Sequence, residues 1–186
     1  MKKIHPAKLL LLLGGICASQ LLSGQSVFSV DLGAIRQVEN ELNGVNVSGF
    51  YHLTEKVKIG LEVNRFFPVT RQKVGGDFRL SAWDLDLNLQ YLVPLNKSRS
   101  LRFYPITGIS HSAEKESDLA KSETRTERFW SVNTGTGILW QRGKLGTHVE
   151  YLLTWGHQNQ QFLLAGINIE FEPGRHHEKG KAPHRD

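Results

Sequence analysis

The sequence predicts an all-β chain, an eight-stranded antiparallel up-and-down transmembrane β-barrel. Three observations carry that prediction. Apolar and polar residues alternate with period two through eight separate segments. The links between segments are alternately short and long. Aromatic residues recur toward the ends of the apolar face. The stretch WDLDLNLQYLV is the plainest case. Trp83, Leu85, Leu87, Leu89, Tyr91 and Val93 fall on one face, and Asp84, Asp86, Asn88 and Gln90 on the other.

The segments follow in order. The first, 27–35, puts Phe28, Val30, Leu32 and Ala34 on one face. The second, 45–53, does so with Val45, Val47, Tyr51 and Leu53, and the third, 57–66, with Val57, Ile59, Leu61 and Val63. WDLDLNLQYLV is the fourth. The fifth, 101–110, carries Leu101, Phe103, Pro105 and Ile109. The sixth, 129–141, carries Trp130, Val132, Ile138 and Trp140. The seventh, 145–154, carries Leu145, Val149, Tyr151 and Leu153, and the eighth, 161–171, Leu163, Ala165, Ile167, Ile169 and Phe171. The opposite parity reads as polar or small: Asp31, Asn46, Ser48, His52, Gly60, Asn64, Gly108, Asn133, Gly135, Gly137, Gly166 and Asn168 are among its members. A parallel α/β sheet would be apolar on both faces of its strands, so that class is excluded.

Thr54-Glu55-Lys56, residues 94–100 and Arg142-Gly143-Lys144 make short links. QVENELNG, FPVTRQKVGGDF and a polar stretch over 111–128 make the long ones, and the last is expected to be an extracellular loop. Its charges are mixed in sign.

Alternation does not say which face is wet; volume and aromatic spacing do. About thirty large apolar residues share one parity, more than an eight-stranded interior holds. Trp130 and Trp140 lie ten residues apart on the same face. At about 3.3 Å per residue and a tilt near 40°, that is roughly 25 Å along the membrane normal, the height of a barrel's apolar band. Trp83, Tyr91, Trp130, Trp140, Tyr151 and Trp155 are therefore expected at the membrane interfaces. The apolar face meets lipid and the polar face lines the lumen. A closed barrel pairs every strand amide internally, as hydrocarbon demands.

The chain has 186 residues, room for one barrel and short extensions. Residues 1–24, MKKIHPAKLLLLLGGICASQLLSG, read as a secretory signal peptide: a positive start, a short apolar core, then small residues. The apolar core is too short for a spanning helix. Ile16 stands before Cys17 where a lipoprotein signal needs a small residue, so lipidation is not expected. Removing the three lysines of this segment takes the formal charge from +5 to +2. No basic stripe remains to suggest nucleic acid. The only cysteine goes with the signal, so residues 25–171 form a barrel without disulfides. Residues 172–186, EPGRHHEKGKAPHRD, read as a disordered polar tail. Its three histidines have no preset geometry, and no metal or cofactor is expected.

The lumen candidates are Lys58, Glu62, Asp84, Asp86, Arg102, His148, Glu150 and Glu170. Carboxylates and bases in a narrow interior pair and plug it; the competing reading is a gated ion path. A catalytic reading is also tested by the residues. His111 and Ser112 lie in GISHSAEKES, with Glu114 or Glu116 available to orient the histidine. The pair is the base and nucleophile a lipid A-modifying hydrolase would need.

YPITGIS (104–110), NTGTGILWQ (133–141), HVEYLL (148–153) and LLAGINIEF (163–171) resemble the fifth to eighth strands of small outer-membrane β-barrel proteins of the OmpA and OmpX type. The form is that of the outer membrane protein beta-barrel domain, or porin family, of Bacteroidetes-like bacteria. The hydrolase motif of outer-membrane lipid A deacylases, by contrast, is not matched in spacing or position. The resemblance implies a monomeric, non-enzymatic protein of the bacterial outer membrane with both termini in the periplasm. It implies a role in envelope integrity or surface interaction. Its partners would be outer-membrane lipid, lipopolysaccharide and the barrel-insertion machinery, with no nucleic acid. A narrow porin for small solutes and a secreted soluble lipid-binding barrel are the alternatives. The tail after Phe171 departs from the family pattern, in which an aromatic residue often ends the chain.

Overall fold

The computed structural model describes residues 27–171 except 74–75, 120, 122 and 157–158. The expected signal peptide and polar tail lie outside the described residues. Ten strands follow in order: β1 (Phe28–Gln37), β2 (Leu42–His52), β3 (Val57–Phe66), β4 (Val69–Lys73), β5 (Gly76–Tyr91), β6 (Val93–Pro94), β7 (Leu101–Asp118), β8 (Thr124–Arg142), β9 (Leu145–Gly156) and β10 (Gln160–Phe171). Eight of them form the wall. Each pairs antiparallel with its neighbours in the order β5-β3-β2-β1-β10-β9-β8-β7, and a β5–β7 pairing closes the ring. The seam between first and last strands runs from Phe28 opposite Phe171 to Gln37 opposite Phe162. β4 and β6 are short accessories on β5 and β7.

The closed eight-stranded barrel is thus as the periodicity predicts, and so is its inverted orientation. Leu61, Val149, Leu145 and Trp130 are each 58–66% exposed, while Lys58, Glu62, Asn88, Asn133 and Asn168 are at most 2% exposed. The apolar face points outward on every wall strand. A soluble barrel that holds lipid inside is excluded, because its apolar face would have to point in.

Both ends of the described chain lie with the tight turns. One of these turns, Gly143-Lys144, joins β8 to β9. Gly143 sits at φ 62°, the left-handed conformation that a two-residue hairpin turn demands of its first central residue. We call this the terminal end. The opposite, far end differs from expectation. Residues 111–128 are not simply a loop: β7 runs to Asp118, β8 starts at Thr124, and the two stay paired through Ser117 opposite Thr124. Threonines, alternating charges and unbroken register keep the ladder going. FPVTRQKVGGDF likewise contains the β4–β5 hairpin. Because β8 pairs with β9 only as far as Ser131 opposite Gly156, the last turns of β5, β7 and β8 rise above the barrel as a small sheet.

A second correction concerns the inward parity, which is not polar throughout. Ile35, Leu42, Phe66, Phe78, Leu80, Leu152, Phe162 and Leu164 are buried near the far end, in a cluster that also takes in Leu92, Tyr104, Ile106 and Leu139 toward the terminal end. The Phe66 and Phe162 rings lie 5.8 Å apart within it. Toward the terminal end two inward aromatic rings lie over glycines on the next strand. A Cβ on Gly60 would fall 2.2 Å from the Phe50 ring, and one on Gly137 would fall 2.4 Å from the Tyr104 ring. Phe50 pairs with Gly60 and Tyr104 with Gly137 in the ladder, so each ring covers a backbone that has no side chain of its own.

Val47, half-way along the outward face of β2, tests the orientation. Val47→Arg is expected to cost about 2–4 kcal/mol in equilibrium unfolding from lipid vesicles, the value for a cation on the lipid face near mid-membrane. Lys144→Gln, in the exposed turn, is expected to stay within about 0.5 kcal/mol.

Candidate functional site: the filled lumen and its mouths

Strand pleat delivers every second side chain to the lumen, and the register decides which of them meet. All eight candidate charges point inward or into a mouth. In the middle third, amides link the carboxylates. Asn46 Nδ2 donates to Asn64 Oδ1 at 2.7 Å, and Asn64 Nδ2 donates to Asp86 Oδ2 at 2.8 Å. Ser48 Oγ donates to Asn46 Oδ1 at 2.8 Å. Asn88 Nδ2 donates to Glu62 Oε1 at 2.8 Å, and Asn133 Nδ2 reaches Asn88 Oδ1 at 3.3 Å. These are cross-strand neighbours: Asn46 opposite Asn64, Asn64 opposite Asp84, Glu62 opposite Asp86 and Asn88 opposite Gly108.

Nearer the terminal end, the Tyr104 hydroxyl donates to Glu150 Oε1 at 2.7 Å. Asp31 accepts from Asn168 Nδ2 and faces His148 Nδ1 at 3.7 Å. Lys58 lies in the same layer, its ammonium 5.9 Å from the Phe50 ring centroid, with Asp31, Glu170 and Glu150 as its carboxylate neighbours. Asp84, next inward after Asp86 toward the far end, accepts from Ser112. Above it apolar side chains around Phe66 and Phe162 narrow the bore, with buried Gln37, Thr154 and Gln160 among them. The interior is therefore layered: a mouth, a charged and amide-bridged middle, and an apolar lid.

The terminal mouth opens into a cavity of about 340 Å³ lined by His52, Glu55, Lys56, Arg99, Arg102 and Glu170 together with Val27, Leu92 and Pro94. Arg102 donates from Nε to the Arg99 carbonyl at 3.0 Å and from Nη1 to Glu170 at 3.5 Å. Arg99 pairs with Glu55 at 3.1 Å. His52 Nε2 is buried and has no hydrogen-bond partner. At the far end a cavity of about 130 Å³ lies among Leu80, Glu114, Glu116, Arg125 and Glu127. Among the described residues no cluster of His, Cys, Asp or Glu is arranged to hold a metal.

On the outer surface, Tyr91 and Trp140 stand at the terminal end with Phe28, Tyr51 and Phe171. Trp83, Trp130 and Trp155 make the opposite row. Tyr151 is mid-strand rather than terminal, and its hydroxyl donates to Gln161 at 2.7 Å. Trp155 Nε1 donates to Thr134 Oγ1 at 2.8 Å. His111 lies in the far row, 4.7 Å from Trp130 and 5.8 Å from Trp83 between ring centroids. Ser112 points into the lumen, where its hydroxyl lies 3.4 Å from that of Ser110. Adjacent residues on a strand face opposite ways, so His111 and Ser112 form no base–nucleophile pair.

The residues missed by sequence reasoning are the connectors and the lid. Asn64, Asn88 and Tyr104 join the charges, and their inward parity was the available signal. Doublets such as Phe66-Phe67 and Leu152-Leu153 place apolar groups on both faces, and these mark the lid.

A family model described as the outer membrane protein beta-barrel domain matches residues 9–167. No curated protein matches the chain. Among solved structures, the fold is similar to the N-terminal β-barrel domain of Pseudomonas aeruginosa OprF, at TM-score 0.56 and 15% identity over 80% of this chain and 100% of that one. Neisserial surface protein A is similar at TM-score 0.58 and 13% identity, over 80% of this chain and 98% of that one. Ail, the attachment invasion locus protein of Yersinia pestis, is similar at TM-score 0.55 and 13% identity, over 81% of this chain and 100% of that one.

Asn64 holds the middle layer together by bridging Asn46 to Asp86. Asn64→Ala leaves both buried groups short of a partner and is expected to destabilise the barrel by about 1–3 kcal/mol per orphaned group. Urea unfolding in lipid vesicles measures it, with Ser98→Ala in an exposed turn as the neutral comparison.

Proposed function

The chain belongs to the family of outer membrane protein beta-barrel domains, and from that premise we propose that it is a non-enzymatic barrel serving envelope integrity or surface interaction, seated in the lipopolysaccharide-bearing leaflet by its far end. One observation carries this reading: outward cations stand level with the far aromatic row and just beyond it. Arg65 is opposite Trp83, Trp83 opposite Ala113 and Ala113 opposite Arg128 in one cross-strand row. Lys115 is the next outward residue on β7, and Arg65, Lys115 and Arg128 are all exposed. Indoles and the His111 ring sit where hydrocarbon ends, and the cations sit where lipid phosphates begin.

In this reading residues 1–24 are the signal peptide, the terminal end faces the periplasm, and the raised sheet of β5, β7 and β8 faces outward. The chain acts as a monomer, since closure leaves no strand edge within the membrane. The insertion machinery is its partner during assembly. The apolar lid and bridged middle layer favour a plug over a pore. The opposed directions of His111 and Ser112 speak against the hydrolase.

Two outcomes are expected. In vesicles containing lipopolysaccharide, the wild-type barrel should resist urea better than in phosphatidylcholine. The triple variant R65Q/K115Q/R128Q should lose about 1 kcal/mol of that advantage per cation. An equal advantage in both proteins would remove the lipid-anchoring reading. In planar bilayers the protein should give no sustained conductance steps; a steady ohmic current would replace the plug with the narrow porin.

A further inference from the structure

The cavity at the terminal mouth has the makings of a ligand site that the plug does not require. At about 340 Å³ it falls at the small end of ligand pockets. Its lining combines apolar side chains, Val27, Leu92 and Pro94, with charged ones. Lys56, Arg99 and Arg102 face Glu55 and Glu170 there, leaving one positive charge in excess. The Arg99–Glu55 and Arg102–Glu170 pairs consume both carboxylates. Arg102 commits two donors, one to the Arg99 carbonyl and one to Glu170, so three of a guanidinium's five N–H groups remain. His52, also in the lining, has its Nε2 buried without a partner, and its charged neighbours are Lys58 and Arg102, both cations.

We propose that this mouth binds a small organic monocarboxylate carrying a short apolar group. The carboxylate takes the free donors of Arg102 with Lys56 and His52 beside it, and the apolar group lies on Val27, Leu92 and Pro94. One net positive charge suits a monoanion better than a dianion, and the apolar part of the lining gives an inorganic anion nothing.

The test uses the full chain in detergent micelles, with His and Arg side chains observed by NMR. Butyrate is the probe, butyramide its uncharged analogue and inorganic phosphate the purely polar anion. Butyrate should give saturable shifts at His52 and Arg102. Butyramide and phosphate should bind about tenfold more weakly, the 1.4 kcal/mol equivalent of one charge-assisted contact. Arg102→Gln and Lys56→Gln should each weaken butyrate binding, while Arg142→Gln, outside the cavity, should leave it unchanged. Gel mobility with and without boiling checks that each variant is folded. If Arg102→Gln does not fold, Lys56→Gln in the exposed turn decides. Shifts that never saturate, equal binding of butyramide or phosphate, or unchanged butyrate affinity in the folded variants would overturn the proposal.

Discussion

Everything in this molecule depends on the seam between β1 and β10. Hydrocarbon offers no partner to a peptide N–H or C=O, and each one left open costs several kcal/mol. An open eight-stranded sheet would present two edges of such groups. Pairing Phe28 through Gln37 with Phe171 through Phe162 removes both edges at once. The amide ladder, not apolar burial, is thus the cohesive element, and the side chains are free to follow an inverted arrangement. The apolar side chains face lipid because the solvent there is apolar.

Inversion moves the packing problem into a narrow bore. Eight strands leave room for side chains and little else, so large and small residues must alternate around each layer. The Phe50–Gly60 and Tyr104–Gly137 pairs show how: one strand gives up its side chain where its neighbour supplies a ring. In the middle layer the bore is filled with groups that each need a partner. Asparagines serve there because one amide both donates and accepts, so Asn64 and Asn88 can link a carboxylate on one side to another amide on the other. A carboxylate-only layer would have had acceptors and no donors.

The barrel was legible because period two is a strong signal when it is repeated eight times, and because Trp130 and Trp140 carry a length scale. The inward direction of Lys58, Glu62, Asp86 and Glu150 followed from parity alone. Which of them would touch did not, because register is a property of neighbouring strands that one strand's sequence does not contain. The same limit hid the raised hairpin. Residues 111–128 are polar on both faces, so no alternation marks them as strand, yet cross-strand pairing of β7 with β8 runs well past the end of the β8–β9 pairing. The lid was hidden by the opposite effect. Where Phe66-Phe67 and Leu152-Leu153 make both faces apolar, the alternation that identifies a wall strand fades at the very positions that close the bore.

The layering of the bore also divides it electrically. The charged and amide-rich middle is polarisable. The apolar side chains around Phe66 and Phe162 are much less so. Such a stack behaves as a conductor in series with an insulator, so a potential difference between the two sides falls mainly across the apolar third. Asp31, Lys58, Glu62 and Glu150 would then sit near the potential of the compartment at the terminal mouth, sensing its ions and little of what lies beyond the lid.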